Sequence, residues 1–284
     1  MIPAPFEYAR ARTLAQALKA MATEDAKVLA GGQSLIPLLR FRLAVPGKLV
    51  DISALPQLRG IRRTAAGLRI GAASTYRELL DSPQVRSDAP LIAEVAELVG
   101  DRQVRNLGTL GGGLAHADPA SDMPGVMLVL DATFHLQSHT GKRSVAAREF
   151  FHGAFTTALR PDELIIEIII PKAPKGAGSA YASFEQPASG YALTAAAAII
   201  AKSKGTITHS ALALNGVAER AYLVHAAQDL VGTRGEAEAI AEVAARAAVG
   251  IEANDDIHAS AEYRLHLASV AARRALTTAL ERAR

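Results

Sequence analysis

The chain contains no cysteine and no tryptophan, and aromatic residues make up only 5% of it. Without cysteine it can form no disulfide, no thiolate-ligated zinc site and no iron–sulfur cluster of its own. With so few aromatics, the interior must be built mainly from alanine, leucine, isoleucine and valine, within a composition that is 50% hydrophobic. Long apolar runs are also missing. The richest, Leu164–Ile170 and Ala195–Ala201, fall far short of the ~20 residues that span a bilayer. Met1–Tyr8 carries no apolar signal core, so a cytoplasmic location is expected. Charge of one sign is scarce too: the net charge is +3, with no lysine/arginine tract of the nucleic-acid-binding kind. The C-terminal arginines Arg264, Arg273, Arg274, Arg282 and Arg284 are expected on a solvated helix face. No dinucleotide fingerprint of the G-x-G-x-x-G type follows a strand, and there is neither a P-loop nor a G-x-S-x-G nucleophile elbow. His116 and Asp118 form an H-x-D pair without two further ligands nearby, so no metal is expected. His135, His139 and His152 are scattered and read as surface or loop residues.

At 284 residues the chain suits one large domain or two to three smaller ones. Thr13 predicts a capped helix through Met21, and Lys27–Ala30 a strand entering a glycine pair. Ser34 predicts a cap for a helix over Leu35–Leu39, followed by a strand at Leu49–Ile52. This reads as a βαβ-type unit with a glycine turn after its first strand. Leu58–Arg63 and Leu68–Ala72 read as a hairpin around Ala66-Gly67. Ser74 or Thr75 predicts a cap for Tyr76–Leu80, and Pro90 opens a helix ending near Gly100. Asp101–Asp122 reads as a long ordered loop, a feature that is usually functional. Met123–Leu130 reads as helix, Thr133–Gln137 and Ser144–Ala147 as a strand pair, and Leu164–Ile170 as a buried strand. Pro171–Gly178 reads as a linker. Beyond it come a strand at Ala180–Gln186, an apolar segment at Tyr191–Ala201, a hairpin around Lys204-Gly205, and alanine-rich helices at Glu236–Val249 and Ala261–Arg284.

Two glycine turns stand out. The first is Ala30-Gly31-Gly32-Gln33-Ser34; the second lies within Thr109–Asp122, with Gly111, Gly112 and Gly113 followed by Asp118-Pro119-Ala120-Ser121-Asp122. Glycine lets backbone amides approach an anion closely, and a following helix N-terminus adds partial positive charge. Thr109 offers a hydroxyl to a phosphate. Asp118 and Asp122 are acceptors for ribose or ribityl hydroxyls or a ring N–H, or alternatively a cap for the helix at Met123. A phosphate chain with a polyol and a ring attached describes a dinucleotide.

Taken together, these segments resemble a known family. Ala30–Leu43 (AGGQSLIPLLRFRL) with Leu49–Ile52, and Gln103–Asp122 (QVRNLGTLGGGLAHADPASD), are similar to the flavin-binding medium subunit of the molybdenum hydroxylases. Phe150–Leu159 and Pro187–Ala192 match further stretches in family order. The resemblance implies an α+β chain with the FAD-binding fold of the vanillyl-alcohol oxidase type. Its two α/β subdomains (1–56 and 57–175) would be followed by a C-terminal α+β domain (176–284) of the CO dehydrogenase flavoprotein type. It implies non-covalent FAD, its pyrophosphate held by Ala30, Gly31, Gly32, Gln33, Ser34, Leu35 and Ile36 and by Thr109, Leu110, Gly111, Gly112 and Gly113. Asp122 and Asp118 would bind polar parts of the cofactor, Ile165 would lie against the flavin, and Tyr191 would lie near the isoalloxazine ring, where a half-buried core tyrosine is the competing role.

The implied role is an electron-transfer subunit with no catalytic acid or base and no metal of its own. Molybdopterin would belong to a large partner subunit and [2Fe-2S] clusters to a small one, in a dimer of heterotrimers. The absence of cysteine agrees with that division of labour. A free-standing FAD-dependent oxidoreductase and a scaffold that has lost FAD are the rival classes. Two departures from the family pattern are visible. Gly113 stands where asparagine or serine is common, and Ser183 stands where relatives often carry lysine two residues after the tyrosine matching Tyr181.

Overall fold

The computed structural model describes residues 2–284. The N-terminal segment is a three-stranded parallel sheet. Its elements are β1 (Glu7–Arg10), α1 (Leu14–Met21), β2 (Ala26–Leu29), α2 (Leu35–Arg40) and β3 (Lys48–Asp51), with strand order β1-β3-β2. Thr13 caps α1 by accepting from the Gln16 N–H at 3.2 Å. The expected βαβ unit is β2–α2–β3, but β1 precedes it, so the glycine turn follows the second strand. Strand β1 has no apolar alternation to announce it. Pairing with β3 and a 2.5 Å hydrogen bond from the Tyr8 hydroxyl to Asp51 hold it in place. Ser34 sits at the start of α2 but its side chain accepts no capping bond, which corrects its expected role: its φ and ψ are already helical, and an N-cap needs an extended residue.

The middle segment runs β4 (Ile61–Thr64), β5 (Gly67–Gly71), α3 (Tyr76–Asp81), α4 (Pro83–Asp88), α5 (Pro90–Leu98), α6 (Arg102–Leu107), α7 (Leu110–His116), α8 (Met123–Val129), β6 (Thr133–Gln137), β7 (Lys142–Ala146), β8 (Phe151–Gly153), β9 (Thr156–Thr157) and β10 (Leu164–Ile170). The main sheet is ordered β4-β5-β10-β6-β7. Thr75 caps α3 in a full capping box with Glu78.

Asp101–Asp122 is not a loop: it holds α6 and α7. Asp101 caps α6 and Thr109 caps α7. Three glycines in a seven-residue helix cost about 3 kcal/mol relative to alanine. Packing explains why they are kept, because a Cβ on Gly111 would lie 2.6 Å from Ala72 Cβ and 2.7 Å from its carbonyl oxygen. Helical periodicity was hidden because these contacts demand residues without side chains.

The C-terminal segment is an antiparallel sheet ordered β11 (Gly178–Glu185), β12 (Ala192–Ser203), β13 (Thr206–Asn215) and β14 (Tyr222–Leu223), packed against α9 (Ala237–Ala245) and the long α10 (Ala261–Arg282). Strand β12 lies between two cores. Ala197 and Ile199 join the core under α8, whereas Ala196, Ala198 and Ile200 join the core under α10. Period-two alternation therefore shows no polar face, and both sides read as apolar.

Arg264 departs from the expected solvated arginine face. It is 4% exposed, and its guanidinium donates to both Asp256 carboxylate oxygens (2.9 and 2.8 Å) and to the carbonyls of Leu193 (2.6 Å) and Gly216 (2.9 Å). A buried cation so paired ties the base of α10 to the ends of β12 and β13. Arg282 donates to Glu94 at 2.7 Å, and Arg274 stacks over the Phe184 ring. His135, expected on the surface or in a loop, lies on β6 and pairs with Glu167 across the sheet at 2.9 Å.

Candidate FAD-binding site

The two glycine bends meet. A Cβ placed on Gly31 would lie 2.1 Å from the Leu107 carbonyl oxygen and 2.9 Å from Gly108 Cα, so only glycine permits this approach. On the other side of the junction, a Cβ on Gly112 would come within 4.0 Å of Ala30 Cβ. Gly32, at φ +74, then turns the chain into α2.

The bends differ in what they offer. Among the described residues no acceptor takes the backbone N–H groups of Gly31, Gly32, Gln33, Ser34 or Leu35. Successive free amides of this kind form an anion-binding concavity. The Gln33 side chain folds back onto the Gly31 carbonyl at 3.1 Å, and the Ile36 side chain lies across Gly32. The second bend, in contrast, uses its amides internally. Leu110 donates to the Ser74 carbonyl, Gly111 to Ala72, Gly113 to the Thr109 carbonyl, and Gly112 to Thr109 Oγ1 at 3.1 Å. The Thr109 hydroxyl is thus engaged as a helix cap, and the second bend contributes clearance where the first contributes donors.

Past α7 the chain turns through Ala117, at φ +50, into the acidic segment. Asp118 Oδ1 accepts from the Ala120 N–H at 2.9 Å, closing a local turn. Asp122 occupies the start of α8 without capping it. Its carboxylate instead accepts from the Tyr181 hydroxyl at 2.6 Å, while Asn215 donates to the Asp122 carbonyl (3.2 Å) and accepts from the Gly125 N–H (2.9 Å). Burial pushes the Asp122 carboxyl up to about 6, against the pull of the Tyr181 hydrogen bond. Burial and the Asp122 charge push the Tyr181 phenol well up. Tyr191 is 50% exposed, and its phenol is raised by burial and then by the Asp118 and Asp122 charges. Burial lowers the His116 imidazole, whose ring packs 5.0 Å from the exposed Phe155.

Asp118, Asp122 and Tyr191 are therefore brought into one electrostatic neighbourhood. Ile165 is 6% exposed and forms part of the central core on β10. Sequence reasoning did not single out Tyr76 or Asn215, which are buried, nor the exposed Phe155, as site residues. The one signal for Phe155 was its place in the matching Phe150–Leu159 stretch. Tyr76 and Asn215 lie far from both bends in sequence, and only the fold brings them in.

Comparison with known proteins places this geometry. Residues 4–173 match the FAD binding domain in molybdopterin dehydrogenase, and residues 179–279 match the CO dehydrogenase flavoprotein C-terminal domain. The carbon monoxide dehydrogenase medium chain of Afipia carboxidovorans is 38% identical over 100% of both chains. The 6-hydroxypseudooxynicotine dehydrogenase complex subunit alpha of Paenarthrobacter nicotinovorans is 35% identical, covering 100% of this chain and 97% of that one. Among solved structures, a chain of carbon monoxide dehydrogenase from Hydrogenophaga pseudoflava superposes with a TM-score of 0.97 at 37% identity over 100% of both chains. The fold is thus that of the CO dehydrogenase flavoprotein subunit. FAD is the cofactor of this family, and the residues present fit it: a run of free amides for a diphosphate, clearance at Gly31 and Gly112, and acceptors at Asp118 and Asp122 for a polyol. Match, relatives and geometry agree that the chain belongs to the FAD-binding medium subunits of the molybdenum hydroxylases.

Proposed function

We propose that this chain carries non-covalent FAD as the electron-transfer subunit of a heteromeric molybdenum hydroxylase. The observation that carries the reading is the run of unpaired N–H groups over Gly31–Leu35, held against Leu107–Gly112 by a contact only glycine allows. In this reading Ala30–Ile36 bind the pyrophosphate through the first bend's amides. Thr109–Gly113 form the wall that lets the backbone come close. Asp122 and Asp118 accept from polar groups of the cofactor, Tyr191 borders the ring, and Ile165 backs it from the core. The three units would be residues 1–56, 57–175 and 176–284.

Bound FAD exchanges electrons singly or in pairs, which suits a bridge between one-electron clusters and a two-electron acceptor. The chain's own part is to bind, orient and tune. Its first bend neutralises diphosphate charge, and its tyrosine–aspartate pair orders the polar rim. No paired acid and base is needed of it. With no cysteine, it would receive electrons from [2Fe-2S] clusters of a small partner subunit, themselves fed by a molybdopterin large subunit, in the cytoplasm and as a dimer of heterotrimers. Isolation of the native protein under mild conditions tests this. Flavin, iron and molybdenum in stoichiometric amounts with two further polypeptides are expected. A colourless chain, or one that purifies alone and turns over a donor, would overturn it.

A further inference from the structure

Gly113 and Tyr76 share one place in the structure. A Cβ on Gly113 would lie 2.4 Å from the Tyr76 hydroxyl oxygen and 3.7 Å from Cζ. The ring is held firmly: Tyr76 is 5% exposed, its N–H donates to the Gly108 carbonyl at 3.0 Å, and its ring edge packs on Gly108, where a Cβ would sit 3.2 and 3.3 Å from two ring carbons. Helix α3 thus delivers a phenol hydroxyl onto the second glycine bend. Yet this hydroxyl has no hydrogen-bond partner among the described residues, and its oxygen is not sealed from solvent; the nearby Asp122 carboxylate adds to burial in holding the phenol protonated. A hydroxyl carried on an otherwise buried tyrosine ring normally finds a partner. Nothing in the packing requires one here, because phenylalanine would fill the same space. An unpaired, oriented hydroxyl that ends against Gly113, on the second glycine bend, is placed to meet a ligand.

We propose that the Tyr76 hydroxyl is a direct hydrogen-bonding group for bound FAD, reaching the cofactor from α3 through the space that Gly113 leaves open. This rests on the FAD-carrying role proposed above. The glycine is then the other half of the device, since any side chain at 113 would displace the hydroxyl. The two positions should behave as a coupled pair in which one polar group, from either residue, serves the cofactor.

The test is FAD titration of the full-length chain after flavin removal, followed by flavin fluorescence, with thermal unfolding of the flavin-free protein measured alongside. Tyr76→Phe should weaken FAD binding about five- to twentyfold without lowering the flavin-free unfolding midpoint. Gly113→Ser should also weaken binding, because its Cβ crowds the hydroxyl. The double variant Tyr76→Phe/Gly113→Ser has room for the new side chain and should bind FAD more tightly than either single variant. Unchanged affinity in Tyr76→Phe, or a double variant no tighter than Tyr76→Phe, would overturn the proposal while leaving the FAD-carrying role intact. A parent chain that takes up no FAD at all would overturn the role and this proposal together.

Discussion

Asp122 is the residue whose burial should be most visible in a stability measurement. Its carboxyl is pushed from an ordinary 3.8 to about 6, with burial as the largest cause and the Tyr181 hydroxyl pulling the other way. A folded-state pKa above the unfolded one means that the native chain holds the proton more tightly between pH 4 and 6. Stability is therefore greatest below pH 4, falls as pH rises through 6, and stays reduced above. The gap of about two pH units corresponds to about 3 kcal/mol, reduced to about 2 kcal/mol because the carboxylate keeps some contact with solvent. Asparagine has nearly the same shape, carries no charge and still offers an oxygen to the Tyr181 hydroxyl. The flavin-free Asp122→Asn chain should therefore be more stable than the parent by about 2 kcal/mol at pH 8, and the two should converge near pH 4. Urea denaturation from pH 4 to 8 reads this directly. A variant less stable than the parent at pH 8, or a difference independent of pH, would refute the argument that desolvation of the carboxylate dominates. In the same samples, FAD affinity should fall in the variant if the ionised carboxylate accepts from the cofactor.

Other substitutions probe separate parts of the fold. Gly31→Ala places a methyl 2.1 Å from the Leu107 carbonyl; it should push the two bends apart, lower stability by about 2–4 kcal/mol and abolish FAD retention on gel filtration. Arg264→Leu leaves Asp256 and the Leu193 and Gly216 carbonyls without their donor, and should cost about 3 kcal/mol in urea denaturation; a loss below ~1 kcal/mol would show that water replaces the guanidinium. Ser183, whose hydroxyl donates to Glu185 at 3.0 Å, brings no positive charge to β11. Ser183→Lys should raise the flavin reduction potential by favouring the anionic reduced form, and a redox titration giving an equal or lower value would contradict this.

How much of this was legible in the sequence differs by element, for physical reasons. Thr13, Thr75 and Pro90 mark their helices because caps and N-terminal prolines are local chemistry. Leu164–Ile170 was readable to the residue because its β-branched run is broken only by Glu167, which pairs with Arg69 and His135 on the more open face of the sheet. Helices α6 and α7 were not: α6 buries none of its residues and so has no apolar period, and in α7 glycines kept for close approach erase it. Arg264 misled for the opposite reason: an arginine in a helix that also carries Arg273 and Arg274 looks solvated until Asp256 and two carbonyls are folded around it. In the site, the glycine bends and the acidic segment were visible as motifs. The division of labour between the bends was not, because it depends on which amides the fold already satisfies. Tyr76, Tyr181 and Asn215 reach the site only through tertiary contacts, and no local pattern marks them.

The alanine ladder of β12 has a consequence for how the protein can be divided. Ala197 and Ile199 wall one interior, and Ala196, Ala198 and Ile200 wall the other, so the strand is shared masonry rather than the boundary of either room. Cutting the chain in the 171–177 segment would strip β12 and β13 from one side of Met123–Val129 and expose that side to water. An N-terminal fragment ending there would contain both glycine bends and still lack the support beneath them. The cofactor lobe, although drawn as a separate unit in the sequence, depends for its solidity on residues that follow the linker.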